Sequence, residues 1–92
     1  TTADLALLAA IISSFRDRPL PRDLVIFGEV GLSGEIRPVP SGQERIQEAA
    51  KHGFSKALVP GANVPRRSGE SMAVTGVNRL SEVLDALEAL CD

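Results

Sequence analysis

The sequence contains a single cysteine, Cys91, and neither tryptophan nor tyrosine among its 92 residues. One cysteine excludes an internal disulfide and a cysteine-rich metal site, and it is typical of a protein from a reducing cytoplasm. Aromatic rings come only from three phenylalanines, so platforms on which nucleic-acid bases could stack are not expected. The core is therefore predicted to be small and aliphatic.

An excess of positive charge and a long apolar segment are also lacking. The net charge is -2, so any nucleic-acid contact must come from a local basic patch. The apolar stretch from Leu5 to Phe15 is about eleven residues long, well short of the ~20 that span a bilayer. No secretory signal is visible either. We therefore expect a cytoplasmic location and no membrane partner.

The pattern of apolar residues predicts three helices and several strands. Helices are expected over 2–16, 42–52 and from Ser81 onward, and strands over 24–27, 57–59 and 72–75. A hairpin is expected around the turn at Ser33-Gly34. The first helix should bury one wide apolar stripe and be capped by Thr2 or Asp4; the stripe comprises Leu5, Leu8, Ile11, Ile12 and Phe15. This order predicts an α/β or α+β fold.

The stretch 28–46 reads GEVGLSGEIRPVPSGQERI and leads from a strand through a tight turn into a charged helix. Pro38 and Pro40 cannot lie within a paired central strand. Ser41 and Glu44 have the spacing of a capping box, in which each side chain binds the other residue's free backbone N–H. The sequence predicts that Ser41 caps the second helix in this way.

Short motifs for common chemistries are missing or ambiguous. No Gly-Lys pair occurs, which excludes a Walker A loop, and the glycines lack the dinucleotide spacing. His52 is the only histidine and is predicted to face solvent at a helix end rather than to bind a metal. The adjacent Arg66 and Arg67 fit either a solubilising loop or a phosphate contact.

Four stretches together resemble one family: the 28–46 run, EAAKHGF at 48–54, ALVP at 57–60 and ANVP at 62–65. They resemble the C-terminal domain of the bacterial RadA (Sms) family of DNA repair proteins, from about Ala3 to Leu90. That domain resembles the Lon proteolytic domain, of the ribosomal protein S5 domain 2-like type. The resemblance implies that residues 1–92 are the C-terminal part of such a domain in a longer protein, with helices packed on a mixed sheet.

The chain departs from the Lon pattern at both catalytic positions. Thr2 takes the place of the nucleophilic serine, and Gln43 takes the place of the lysine base. A glutamine amide cannot accept a proton at neutral pH. Lys51 lies eight residues farther along the helix, or about 12 Å. The resemblance therefore implies a scaffold domain that is not itself catalytic.

For the whole protein the resemblance implies a DNA-dependent ATPase of recombinational DNA repair. It implies a zinc-binding segment, a RecA-like ATPase using ATP and Mg, a hexameric ring of identical chains, and recombinase proteins as possible partners. From charge and expected exposure, the predicted DNA contacts are Arg45, Lys51, Arg66 and Arg67. Two alternatives stay open: a residual peptidase that uses Thr2, and a protein-interaction module without DNA contact.

Overall fold

The computed structural model describes residues 3–65 and 72–90 of the chain, and this part contains three α-helices and six short strands. A single turn of 3-10 helix, Gly61–Asn63, follows the fifth strand. The predicted α+β class is confirmed. The bounds are β1 Ala3–Asp4, α1 Leu5–Arg16, β2 Leu24–Ile26, β3 Glu29–Val30, β4 Ile36–Arg37, α2 Gly42–Lys51, β5 Lys56–Pro60, β6 Ala73–Val77 and α3 Leu80–Leu90.

The strands form two three-stranded sheets. One sheet is parallel in the order β2-β5-β6, and the other is antiparallel in the order β1-β3-β4. The predicted hairpin is confirmed as the β3–β4 pair. Backbone hydrogen bonds join the hairpin to the segment between β6 and α3: the Ile36 N–H donates to Asn78 O at 2.9 Å, and the Leu80 N–H donates to Gly34 O at 2.8 Å.

The core lies on both faces of the parallel sheet. Successive residues of a strand point to opposite faces, and Leu58 of β5 accordingly packs with α1 and α3, whereas Ala57 and Val59 pack with α2. All three of these β5 side chains have no exposed surface. The central strand of the parallel sheet is therefore covered on both faces.

The predicted apolar stripe of α1 is only partly buried. Leu5 is fully buried, but the exposed fractions of Ile11 and Phe15 are 47% and 88%, and Leu7 is 62% exposed. The prediction was therefore wrong for Ile11 and Phe15. The apolar surface of α1 is wider than the sheet and α3 can cover, so the neighbouring elements decide which half is buried.

Two helix starts differ from the sequence-based expectation. Ser41 precedes α2 but has a φ of 61°, in the left-handed region, and its side chain makes no capping bond. Helix α3 begins at Leu80, one residue before the predicted cap Ser81. The carboxylate of Glu82 instead accepts hydrogen bonds from the N–H groups of Asn78 and Arg79. For α1 the alternative cap Asp4 is confirmed, because its carboxylate accepts from the Ala6 N–H at 2.8 Å.

Candidate functional site

A cavity of about 570 Å³ lies between the start of α1, the bend that joins β2 to β3, and the first turns of α2. This volume falls within the ~300–1,000 Å³ that is usual for ligand pockets. Apolar side chains and three charged side chains share its wall. The lining residues that matter for its chemistry are Asp4, Phe27, Glu29, Val39, Pro40 and Arg45.

The bend at Gly28 shapes the floor of this cavity. Gly28 has a φ of +142°, which disfavours any residue with a side chain, and a Cβ there would press against Leu5 and Pro60. Its carbonyl accepts a hydrogen bond from the Leu5 N–H at 3.0 Å. Glycine is therefore required for the end of β2 to approach the first turn of α1 this closely.

Arg45 forms the wall on the α2 side. Its guanidinium carbon lies 5.7 Å from the centroid of the Phe27 ring, within the range of a cation–π contact. The side chain of Phe27 is buried and packs with Ile46 and Ala49 of α2. Because the ring is fixed in the core, it holds the Arg45 side chain beside the cavity.

Two carboxylates also line the cavity. Asp4 and Glu29 are direct partners across the antiparallel β1–β3 pair, so their like charges face the same side of the sheet. Arg37 is the partner of Glu29 on the other side, but its guanidinium pairs with Glu35 at 2.9 Å. Hydrogen bonding from Arg37 lowers the pKa of Glu35 below its ordinary value. Within residues 3–65 and 72–90, neither Asp4 nor Glu29 forms an ion pair.

The start of α2 is held in place by Asn63. Its side-chain amide forms two hydrogen bonds with the backbone of Val39, accepting from the N–H at 2.9 Å and donating to the carbonyl at 3.0 Å. A Cβ at Gly42 would overlap this amide. The pair of Gly42 and Asn63 therefore positions the helix that carries Arg45.

The structure brings one of the predicted site residues to the cavity. Arg45 lines it, whereas Gln43 and Lys51 are exposed on α2 and do not. Lys51 is the last residue of the helix, six residues and about 9 Å along the axis from Arg45. The remaining predicted positions, Thr2, Arg66 and Arg67, lie outside the described residues.

Sequence reasoning missed three residues of this site. Asp4 was recognised only as a helix cap, Phe27 only as a strand residue, and Glu29 was assigned no role. The change from apolar Phe27 to charged Glu29 across Gly28 could have indicated a bend at this glycine. Nothing local in the sequence indicates that Asp4 and Glu29 are cross-strand partners.

Each helix in the described part of the chain is too short or too polar to span a membrane. Residues 3–65 and 72–90 also contain no group of three or more His, Cys, Asp or Glu side chains arranged to hold a metal ion. His52 is exposed and contacts Glu48 at 3.2 Å, as expected for a histidine at a helix end.

Comparison with known proteins gives one family model and several close relatives. The model described as subunit ChlI of Mg-chelatase matches residues 1–63. A protein named DNA repair protein RadA from Escherichia coli K12 is 67% identical over 90 residues, covering 98% of this chain and 20% of its own length. RadA from Pseudomonas aeruginosa is 61% identical over 87 residues, and RadA from Aquifex aeolicus is 45% identical over 85 residues. These two matches cover 95% and 92% of this chain, respectively, and 19% of the length of each relative. The chain thus spans about a fifth of the length of these curated relatives.

Proposed function

The chain belongs to the family described as subunit ChlI of Mg-chelatase, and from its similarity to RadA proteins we propose that it is part of a DNA repair protein of the RadA type. The observation that carries this proposal is the 67% identity over 98% of the chain. An identity this high over nearly every element of the fold favours a shared role as well as a shared fold. The chain is about a fifth of the relatives' length. The activity of the whole protein is therefore part of the proposal.

Within that protein, we propose that the chain is the C-terminal part of a Lon-protease-like domain and acts as a scaffold without peptidase activity. Gln43 supports this because it lies in the first turn of α2 and carries an amide where the Lon pattern has its base. The chain has two lysines, Lys51 and Lys56. Lys51 is about 12 Å along the helix from Gln43, and Lys56 begins β5.

The scaffold would support a ring of identical chains and contact DNA in the cytoplasm. ATP, Mg and Zn would be bound elsewhere in the whole protein, and recombinase proteins are possible partners. The resemblance to the RadA (Sms) family is the basis for these proposals. Among the predicted DNA contacts, Lys51 is exposed at the end of α2, whereas Arg45 is held against Phe27 beside two carboxylates. We therefore expect Lys51 to contribute more to DNA contact than Arg45.

Duplex-DNA binding by the full-length protein across a salt series tests the DNA contact. We expect the pair Arg66→Glu and Arg67→Glu, and more weakly Lys51→Glu, to lower the affinity and to make the salt dependence shallower. The matched control is Arg18→Glu with Arg22→Glu, an equal change of charge at two exposed residues outside the predicted contacts. The oligomeric state of each variant is measured in parallel.

If the control and the test variants lose affinity equally, the effect is bulk charge and the proposed contacts are wrong. If none loses affinity while the ring persists, the chain serves assembly alone. Peptide hydrolysis by the same protein tests the scaffold role. Cleavage that disappears in Thr2→Ala would replace the scaffold proposal with a working peptidase.

A further inference from the structure

The cavity beside α1 has a charge arrangement that the scaffold role does not use. Like charges placed directly opposite each other in a strand pair are destabilising, and Asp4 and Glu29 occupy such positions at the cavity wall. Asp4 uses one carboxylate oxygen to cap α1. In the part of the chain that the structure describes, no cation lies within ion-pairing distance of either residue.

We propose that this cavity receives the side chain of a lysine or arginine from a protein partner. The charged head would lie between the carboxylates of Asp4 and Glu29, where one cation attracts both and offsets their mutual repulsion. The aliphatic stem would cover the apolar part of the wall formed by Ile26, Phe27 and Val39. Long basic side chains commonly combine these two environments, with the stem on an apolar surface and the head in a polar one.

Arg45 decides the orientation of the incoming side chain. Its guanidinium lies over Phe27 and, within the described residues, forms no ion pair with either carboxylate. It repels a second cation and therefore directs the head toward Asp4 and Glu29. Its N–H groups are donors for a backbone carbonyl of the partner. An anionic ligand is disfavoured because two carboxylates and one guanidinium line the cavity.

The partner is therefore a basic segment of a protein, bound without cleavage. This inference goes beyond the proposed repair role and does not depend on DNA contact. The DNA experiment changes Lys51, which does not line the cavity, and Arg66 and Arg67, which lie outside the described residues. The two proposals can consequently fail separately.

The test uses four blocked peptides, Ala-Ala-X-Ala-Ala, in which X is lysine, arginine, norleucine or glutamate. Each is titrated to about 10 mM, a range that detects millimolar affinity, while the backbone amide signals of the 92-residue chain are followed by NMR. We expect the lysine and arginine peptides to shift the signals of Asp4, Phe27 and Glu29. Their affinity should exceed that of the norleucine peptide by about fivefold, the upper end of what an ion pair to exposed carboxylates contributes.

Matched variants separate the cavity from general charge. Glu29→Gln and Asp4→Asn should each lower the affinity for the lysine peptide at least threefold. Asparagine caps a helix about as well as aspartate, so Asp4→Asn keeps α1 intact. Glu44→Gln is the control, because it removes the same charge from an exposed position of α2 outside the cavity. Without peptide, Glu29→Gln should raise Tm, since it relieves the like-charge pair.

Several outcomes would overturn the proposal. Equal binding of the norleucine peptide would mean that only the apolar wall matters, and tighter binding of the glutamate peptide would make Arg45 an anion site. Signal shifts that map away from the cavity, or no shifts at the highest concentration, would exclude it as a receptor for basic side chains. An equal loss in Glu44→Gln would assign the effect to net charge.

Discussion

Helices α1 and α2 lie on opposite sides of the same parallel sheet, and their outward faces are entirely different. The outward face of α2 carries only polar and charged side chains, namely Gln43, Glu44, Arg45, Gln47, Glu48 and Lys51. The outward face of α1 carries Leu7, Ile11 and Phe15. Both helices bury a leucine or isoleucine against the sheet, Leu5 in α1 and Ile46 in α2.

The difference shows when an apolar pattern predicts burial. In α2 the apolar residues are no more numerous than the sheet can cover, so Ile46, Ala49 and Ala50 all pack against it. In α1 no charged residue occurs between Leu5 and Phe15. Apolar residues there occupy more than the contact face, and periodicity alone cannot say which are covered.

The largest expected effect contrasts the two faces of α1. Leu5→Ala should lower the free energy of unfolding by about 2–5 kcal/mol, because it opens a cavity in a fully buried site. Leu7→Ala removes the same atoms from a side chain that is 62% exposed. It should change the free energy of unfolding by less than about 0.5 kcal/mol. Urea unfolding of the 92-residue chain measures both. Equal losses would show that Leu7 is covered in solution.

The next effect concerns how α2 is anchored. Gly42→Ala should lower the free energy of unfolding by about 1–3 kcal/mol, because the new Cβ displaces the Asn63 amide from Val39. Asn63→Ala should cost about 1–2 kcal/mol through its two lost hydrogen bonds. The double variant should cost less than the sum, because both changes break the same contact. Strict additivity in the unfolding measurement would contradict this coupling.

A smaller effect is expected from placing a polar residue on the outward face of α1 and an apolar residue on the outward face of α2. Ile11→Lys should leave the free energy of unfolding within about 0.5 kcal/mol of the parent and lower self-association of the chain. Gln47→Leu, at an exposed position of α2, should raise self-association. Sedimentation velocity at several concentrations measures this. Identical behaviour of parent and Ile11→Lys would show that the α1 face does not promote association.

The smallest effect concerns a hydrogen bond between the segment that follows α1 and the segment that follows α2. The Ser55 hydroxyl after α2 donates to the carboxylate of Asp23 after α1, and this bond lowers the pKa of Asp23. A lowered pKa means that the ionised carboxylate stabilises the fold. This contribution is present above the ordinary aspartate pKa of about 4 and is lost as the pH falls through the lowered value.

Ser55→Ala should therefore raise the pKa of Asp23 toward its ordinary value. The variant should lose less stability on acidification than the parent does. NMR titration of the side-chain carboxyl carbons measures this directly, and Glu35 is the internal control because Arg37 governs its pKa. An unchanged titration of Asp23 would show that Ser55 is not the cause.

Local patterns in the sequence predicted most of the secondary structure. Three kinds of local pattern were each sufficient to predict an element. These were the helical spacing in α2 and α3, the apolar runs at β2 and β5, and the glycine turn between β3 and β4. The bounds were less accurate where capping depends on neighbours. Ser41 has the right residue type for a cap, but its left-handed backbone prevents the bond, and Asn63, more than twenty residues away, fixes this segment instead.

The candidate cavity could not have been predicted in the same way. Its wall joins residues from four separated stretches, at Asp4, at Phe27 to Glu29, at Val39 and Pro40, and at Arg45. Composition already excluded a disulfide framework, and residue spacing located the helices, because these depend on residues close together in the chain. The tertiary structure alone decided which half of α1 is buried and that Asp4 faces Glu29. Both depend on strand register and on which elements pack together, and these are set by contacts between residues far apart in the chain.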